Sequence, residues 1–257
     1  MGGTILNMLT VFIGSLLGLS LGHRLPQAMQ SSVVSGLGLV TLAVGMQNAL
    51  KTGNIIIPLL AVLLGIIVGE TLQIDAALTR FGAWLQTRVS RSQGAAAGIS
   101  EQGRERFITG FVTASLVFCV GPLTFAGSIQ DGMGLASGFQ FLAIKSALDF
   151  FAAIAFAASF GLGVVFTVLT ILIVQGGLAL LGMLLVGALS DPTTASTLAS
   201  SPLIIEMSAV GGVLLLGLGI VLLDIKKIRV ANFLPALVIA PLLVAIAGAL
   251  GIPVYPL

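Results

Sequence analysis

The sequence predicts an all-α, polytopic transmembrane bundle of about eight spans, and three observations carry that prediction. Of 257 residues, 57% are hydrophobic and only 8% charged, with a mean hydropathy of +1.17. That is too little polar surface for a soluble domain of this length. Apolar runs able to cross a hydrocarbon core of ~30 Å recur along the whole chain. The basic residues gather in alternate connections between those runs.

The runs fall near 3–22, 32–50, 55–70, 106–121, 138–160, 162–187, 202–223 and 234–251. The first, in "MGGTILNMLTVFIGSLLGLSLG", lacks the basic n-region of a secretory signal and reads as an uncleaved span. With the N-terminus outside, Arg24, Arg80, Arg88, Arg91, Arg104, Arg106, Lys226, Lys227 and Arg229 fall in cytoplasmic connections. Only Lys51 falls outside, and an even span number returns the C-terminus to the same outer side (N-out/C-out). The whole chain, 1–257, reads as a single transmembrane domain in a lipid bilayer. Glycines at four-residue spacing (Gly14, Gly18 and Gly22 in span one, Gly65 and Gly69 in span three) allow close helix contact, either within the chain or in a homodimer.

The sizeable loop 71–105 is cytoplasmic on this topology. Its first half puts Ile74, Leu78, Phe81, Leu85 and Val89 at helical spacing with Trp84 among them, which predicts an amphipathic helix on the membrane surface. Its second half, within "SRSQGAAAGISEQGRER", is small and polar and reads as a flexible linker.

Span four is interrupted. From Arg106 it reaches Gly121-Pro122 after roughly 22 Å, short of a full crossing. Pro122 has no amide hydrogen, so the carbonyl of Phe118 loses its helical partner. Such backbone is tolerated at membrane depth only where protein or water satisfies it. "SIQD" then has the form that caps a new helix, with Ser128 as cap. In span five, Asp149 lies near the bilayer midplane with Lys145 one turn away on the same face.

Ionisable groups inside a bilayer must face protein or water. Asp131, Asp149 and Glu206 are the carboxylates in or beside spans, with Lys145 the one ammonium. Carbonyls freed at the break, near Asp131 and Asp149, would make an electronegative pocket suited to an inorganic cation. In that reading Lys145 is a counter-ion or gate, and Gln175, Glu206 and Ser128 line the path. The bland alternatives are an ordinary loop after Gly121-Pro122, a structural Lys145–Asp149 pair, and a Glu206 that merely favours its helix N-terminus.

Similarities between "LTVFIGSLLGLSLG" (9–22) and "LTILIVQGGLALLG" (169–182), and between "NIIIP" (54–58) and "NFLP" (232–235), suggest an inverted repeat of spans 1–3 against 6–8. Such repeats with broken helices are common in secondary transporters. The segments "RFITGFVTASLVFCVGPLTFAGSIQDG", "KSALD" and "VQGGLALL", with the start "GTILNMLTVFIGSLLGLSLG" and the tail from "GGVLLLGLGI", resemble the YqgA/YdfK-like family of bacterial inner-membrane proteins. The resemblance implies a bacterial inner (cytoplasmic) membrane and places Asp131, Lys145 and Asp149 in the family's motif region. It supplies no substrate.

The function expected is a small transporter or channel for an inorganic cation or small solute, at the span-four break and span five. The alternative is a non-transporting scaffold or regulator acting through loop 71–105. No catalytic residues, cofactor, metal centre or nucleic-acid partner are expected. A single cysteine, Cys119, excludes an internal disulfide, and with one histidine leaves no His/Cys metal site. That histidine sits at a membrane edge, away from the serines.

Overall fold

The computed structural model describes residues 1–22, 26–92, 101–186 and 201–255. His23, Arg24, Asp191 and residues 93–100 of the expected linker lie outside them. The described residues form α-helices and short 3-10 turns, with no strand. The helices are α1 (Gly2–Gly22), α2 (Gln27–Ala49), α3 (Ile56–Leu72), α4 (Ile74–Ser92), α5 (Glu101–Val120), α6 (Pro122–Gly132), α7 (Ala136–Phe160), α8 (Thr167–Val186), α9 (Pro202–Leu222) and α10 (Ala236–Ala249). Five helical stretches among the described residues are long and apolar enough to cross a membrane, or up to seven if each of two bent pairs is one span.

Helix α1 is inverted relative to a helix of a soluble protein. On α1 the buried residues are Gly3, Thr4, Asn7, Val11, Gly14, Ser15 and Gly18. Ile5, Leu9, Phe12, Ile13 and Leu16 point outward. An apolar exterior around a small and polar interior suits a hydrocarbon solvent, where tight packing rather than water exclusion joins helices.

The glycine faces are consumed inside the chain. A methyl group at Gly14 would lie 2.6 Å from the Phe150 carbonyl oxygen, and Gly18 and Gly22 press in the same way on Ile154 and Ala158 of α7. Gly65 and Gly69 press on Ala236 and Asn232. A homodimer through these faces is therefore not available, because α7, α10 and the turn before α10 already occupy them. The register of these contacts makes α1 and α7 parallel. It makes α3 antiparallel to α10, and Gly38 and Gly45 of α2 set that helix antiparallel to α9 against Leu223 and Gly212.

Several boundaries differ from the sequence expectation. Helix α5 begins at Glu101, five residues before the expected span, because a polar first turn continues the helix beyond its apolar part. There Arg106 donates from Nε to the Ser159 carbonyl at 2.8 Å and from Nη2 to Gln30 at 2.7 Å. The division expected between the runs 138–160 and 162–187 does fall at Gly161, between α7 and α8, and its φ of 81° is the left-handed value that favours glycine. A 3-10 turn, Gly161–Phe166, leads into α8. Helix α4 buries Leu85 against Phe107 and Phe111 of α5, and leaves Trp84 exposed, stacked on Phe81 with Arg88 over its ring.

Candidate functional site

The interruption after α5 has a defined geometry. Gly121 is extended, with φ −72° and ψ 150°, and Pro122 takes the first position of α6, where its missing N–H costs nothing. The axes of α5 and α6 meet at 65°. The Phe118 carbonyl, deprived of its partner by Pro122, accepts a hydrogen bond from the Thr124 hydroxyl at 3.2 Å. Thr124 thus completes the break, and sequence reasoning passed over it. The new helix starts at once, so Ser128 does not cap it. Ser128 lies inside α6, fully buried, with no partner for its hydroxyl among the described residues.

A cavity of about 750 Å³ lies against this break. Its walls come from α2 (Leu37, Val40, Val44, Asn48), Gly121 at the break, α6 (Leu123, Ala126), α7 (Lys145, Asp149, Phe156) and α9 (Ile204, Ser208, Leu215), with Lys51 just beyond α2. Lys145 Nζ and Asp149 Oδ2 form a buried ion pair. Asp149 Oδ2 also accepts from the Asn7 side-chain amide at 3.0 Å. Asn7, fully buried on α1, was missed by sequence reasoning. A polar residue at Asn7 amid apolar neighbours in span one is the signal that could have found it.

The three membrane-region carboxylates are not brought together. Asp131, at the far end of α6, accepts from the backbone N–H of Gly3 (3.1 Å) and Thr4 (3.4 Å) and pairs with the Met1 ammonium (3.4 Å). It serves as a tertiary cap for α1, offering negative charge at a helix N-terminus. Glu206 accepts from the Thr52 hydroxyl at 2.6 Å and the Gly53 N–H at 3.0 Å, so it holds the turn before α3. Neither lines the cavity. The expected electronegative pocket of break carbonyls with Asp131 and Asp149 is therefore not formed, because Asp131 is taken up by the start of α1 and the Phe118 carbonyl by Thr124. Among the described residues no three His, Cys, Asp or Glu side chains cluster as a metal site would require. Gln175 is fully buried on α8, with neither amide atom paired among the described residues, and lies outside the cavity wall.

The family model described as "Protein of unknown function (DUF554)" matches residues 2–245. The chain belongs to the DUF554 family. Within it, the chain is 33% identical over 238 residues to "Uncharacterized protein YqgA" of Escherichia coli (strain K12), covering 93% of this chain and 94% of that one. It is 23% identical over 256 residues to "Uncharacterized membrane protein YdfK" of Bacillus subtilis (strain 168), covering 98% and 99%. No solved structure matches. A membrane protein among the relatives and several apolar helices make this family member a multi-pass membrane protein in a lipid bilayer. Both matches run through the broken helix and the Lys145–Asp149 pair, so those features belong to the matched region.

Proposed function

We propose that the protein is a small transporter of the bacterial inner membrane, moving a small solute through the cavity beside the α5–α6 break. The observation that carries this reading is the position of the Lys145–Asp149 pair. It sits near the middle of α7, in the wall of a cavity large enough for a small organic molecule. A charge pair placed there is expensive, and one that faces a cavity is available to a ligand.

In this reading the chain crosses the bilayer eight times, with α5 and α6 as one broken span. The stretch 136–184 would be about 73 Å as a single helix, more than twice the hydrocarbon thickness. Its two parts, α7 and α8, therefore cross separately on either side of Gly161. The excess of Arg and Lys on the connections carrying Arg80, Arg106 and Lys226 supports a cytoplasmic position for that end. An inverted repeat is supported by α2 packing antiparallel to α9 and α3 to α10. Gly121 supplies a hinge about which α6 tilts as the cavity changes access.

The charges that reach the cavity favour an organic solute over a bare inorganic cation. Lys51, Lys145 and Asp149 line it, and Asp149 is already shared between Lys145 and Asn7. The test is solute-jump current from purified protein on a solid-supported membrane, with a panel of inorganic cations, organic acids and organic amines. At least one should evoke a current that Asp149→Asn abolishes. Silence across the panel would overturn transport. A current untouched by Asp149→Asn would remove the cavity as its path.

A further inference from the structure

Four side chains with unpaired buried polar atoms converge beside Asp149. They are Thr4 and Asn7 on α1, Ser128 on α6 and Gln175 on α8. Thr4 is 3% exposed and the other three are fully buried. Thr4 Oγ1, Asn7 Oδ1, Ser128 Oγ and both amide atoms of Gln175 have no hydrogen-bond partner among the described residues.

Helix packing brings these groups together. Asp131 of α6 accepts from the Gly3 N–H, and the next residue, Gly132, presses on the Ala179 carbonyl, so α1, α6 and α8 meet at one level. One helical turn from Gly3 toward the middle of α1 lies Asn7, and one turn from Ala179 toward the middle of α8 lies Gln175. Ser128, one turn back from Asp131 and Gly132, projects between the contacts those two residues make. Asn7 donates to Asp149 Oδ2, which joins the layer to α7. At the other end, the Thr4 N–H reaches Asp131, whose carboxylate pairs with the partly exposed Met1 ammonium. A polar column therefore runs from the Met1 end of the bundle to Asp149. One turn deeper, Val11 and Ile171 are fully buried and close it with apolar side chains.

The unpaired atoms include both donors and acceptors. Gln175 Nε2 only donates, Asn7 Oδ1 and Gln175 Oε1 only accept, and the hydroxyls do either. A bare cation would satisfy the oxygens and leave the amide nitrogen stranded. The ion pairs at the two ends, Met1–Asp131 and Lys145–Asp149, also leave the column without net negative charge. Water serves donors and acceptors alike, and a buried water typically makes about three such hydrogen bonds. The charged or titratable groups around Asp149 are Lys145 on its own helix, Lys51 sharing the cavity, and the buried Cys119 thiol of α5. Helices α1 and α8 carry no charged side chain, and Glu206 of α9 is bonded to Thr52 and Gly53.

We propose that these four side chains hold a short chain of water molecules from the Met1–Asp131 end to Asp149, and that the chain delivers protons to the Asp149 carboxylate. Each water passes on one proton as it accepts another, and the arriving proton forms an O–H bond on Asp149. Release runs the same steps backward, and no electron moves. An ionisable group at membrane depth is a natural terminus for such a relay. Val11 and Ile171 stop the column short of the opposite side, so the path is one-sided. Asp149 touches both the column and the cavity wall, which makes the proton the coupling ion for a solute in the cavity. The coupling rests on the transport reading; the water chain and the proton movement do not.

Two measurements on the full chain test this. The first is a cryo-EM map of the protein in nanodiscs that resolves ordered water. Density bridging Asn7, Ser128 and Gln175 is expected. A direct Asn7–Gln175 hydrogen bond, or a single density ringed by oxygens that appears only with sodium, would overturn the water assignment. The map needs no variant, so it stands even where a substitution unfolds the chain. The second is proton uptake into proteoliposomes holding a pH-sensitive dye, with the membrane potential clamped by potassium and valinomycin. An acid step outside should give uptake above that of protein-free vesicles. Asp149→Asn should abolish it, and so should Gln175→Leu with Ser128→Ala, which leaves every charge in place. Ser15→Ala, beyond Val11 on the same buried face of α1, should leave it unchanged. Uptake no faster than in protein-free vesicles, or indifferent to both sets of substitutions, would overturn the proton path. Proton uptake without current for any solute would sink the transport reading alone. A solute current without proton uptake would sink the proton path alone.

Discussion

The Lys145–Asp149 pair supports a quantitative prediction that separates a structural role from a transporting one. Lys145→Met leaves the Asp149 carboxylate with only the Asn7 amide, and Asp149→Leu leaves the Lys145 ammonium with no carboxylate. Removing one member of a buried pair costs about 3–5 kcal/mol, whereas replacing both by apolar side chains is neutral or stabilising. Both groups are buried, so at least about 3 kcal/mol is expected for each single variant. The double variant should return to within about 1 kcal/mol of the parent. Helicity followed by circular dichroism through an SDS titration in mixed micelles measures all four proteins. Single variants costing under ~1 kcal/mol would show that the pair is solvated. A double variant as unstable as the worse single one would refute compensation within the pair. A double variant that is stable but carries no current assigns the charges to transport; one that is stable and still conducts assigns them to structure.

Variants at four further positions test the packing and hydrogen bonding of the bundle. Thr124→Val should cost about 1–3 kcal/mol by stranding the Phe118 carbonyl, and Thr124→Ser should restore most of it in the same SDS titration. Gly18→Val should cost at least ~1–3 kcal/mol, since even a Cβ there meets the Ala157 methyl at 2.9 Å. Gly36→Ala, with open space around it, should be neutral or slightly stabilising in the same measurement. Glu206→Leu leaves the Thr52 hydroxyl and Gly53 N–H without their acceptor, which predicts a loss of about 1.5–3 kcal/mol. For topology, an impermeant maleimide on intact cells should label Lys51→Cys and spare Lys226→Cys, both made in a Cys119→Ala background; the reverse pattern would invert the proposed orientation.

Local rules account for what was legible in the fold. Hydropathy located α1–α3, the apolar part of α5 and α7–α10, because a bilayer demands long apolar segments with internally bonded backbone. Gly121-Pro122 was legible as a break for a purely covalent reason, the absent N–H of Pro122. The amphipathic spacing from Ile74 to Val89 likewise identified α4 as a helix. The same spacing could not say that Leu85 packs on Phe107 and Phe111, because periodicity marks an apolar face without naming what covers it.

The candidate site was legible only in part, and the residues misjudged share one cause. Lys145 and Asp149 are four apart on one helix, so their pairing follows from helical geometry. Asp131 and Glu206 find their donors 127 to 154 residues away in the chain, on Gly3, Thr4, Thr52 and Gly53. No local pattern encodes such partners. A carboxylate inside a membrane is read first as an ion ligand, yet a free backbone N–H at a helix start or turn is an equally good reason for one to be there. The inference from intramembrane charge to function therefore needs a second condition, that the charge border open space. Asp149 and Lys145 meet it, whereas Asp131 and Glu206 are spent on holding α1 and the turn before α3 in place.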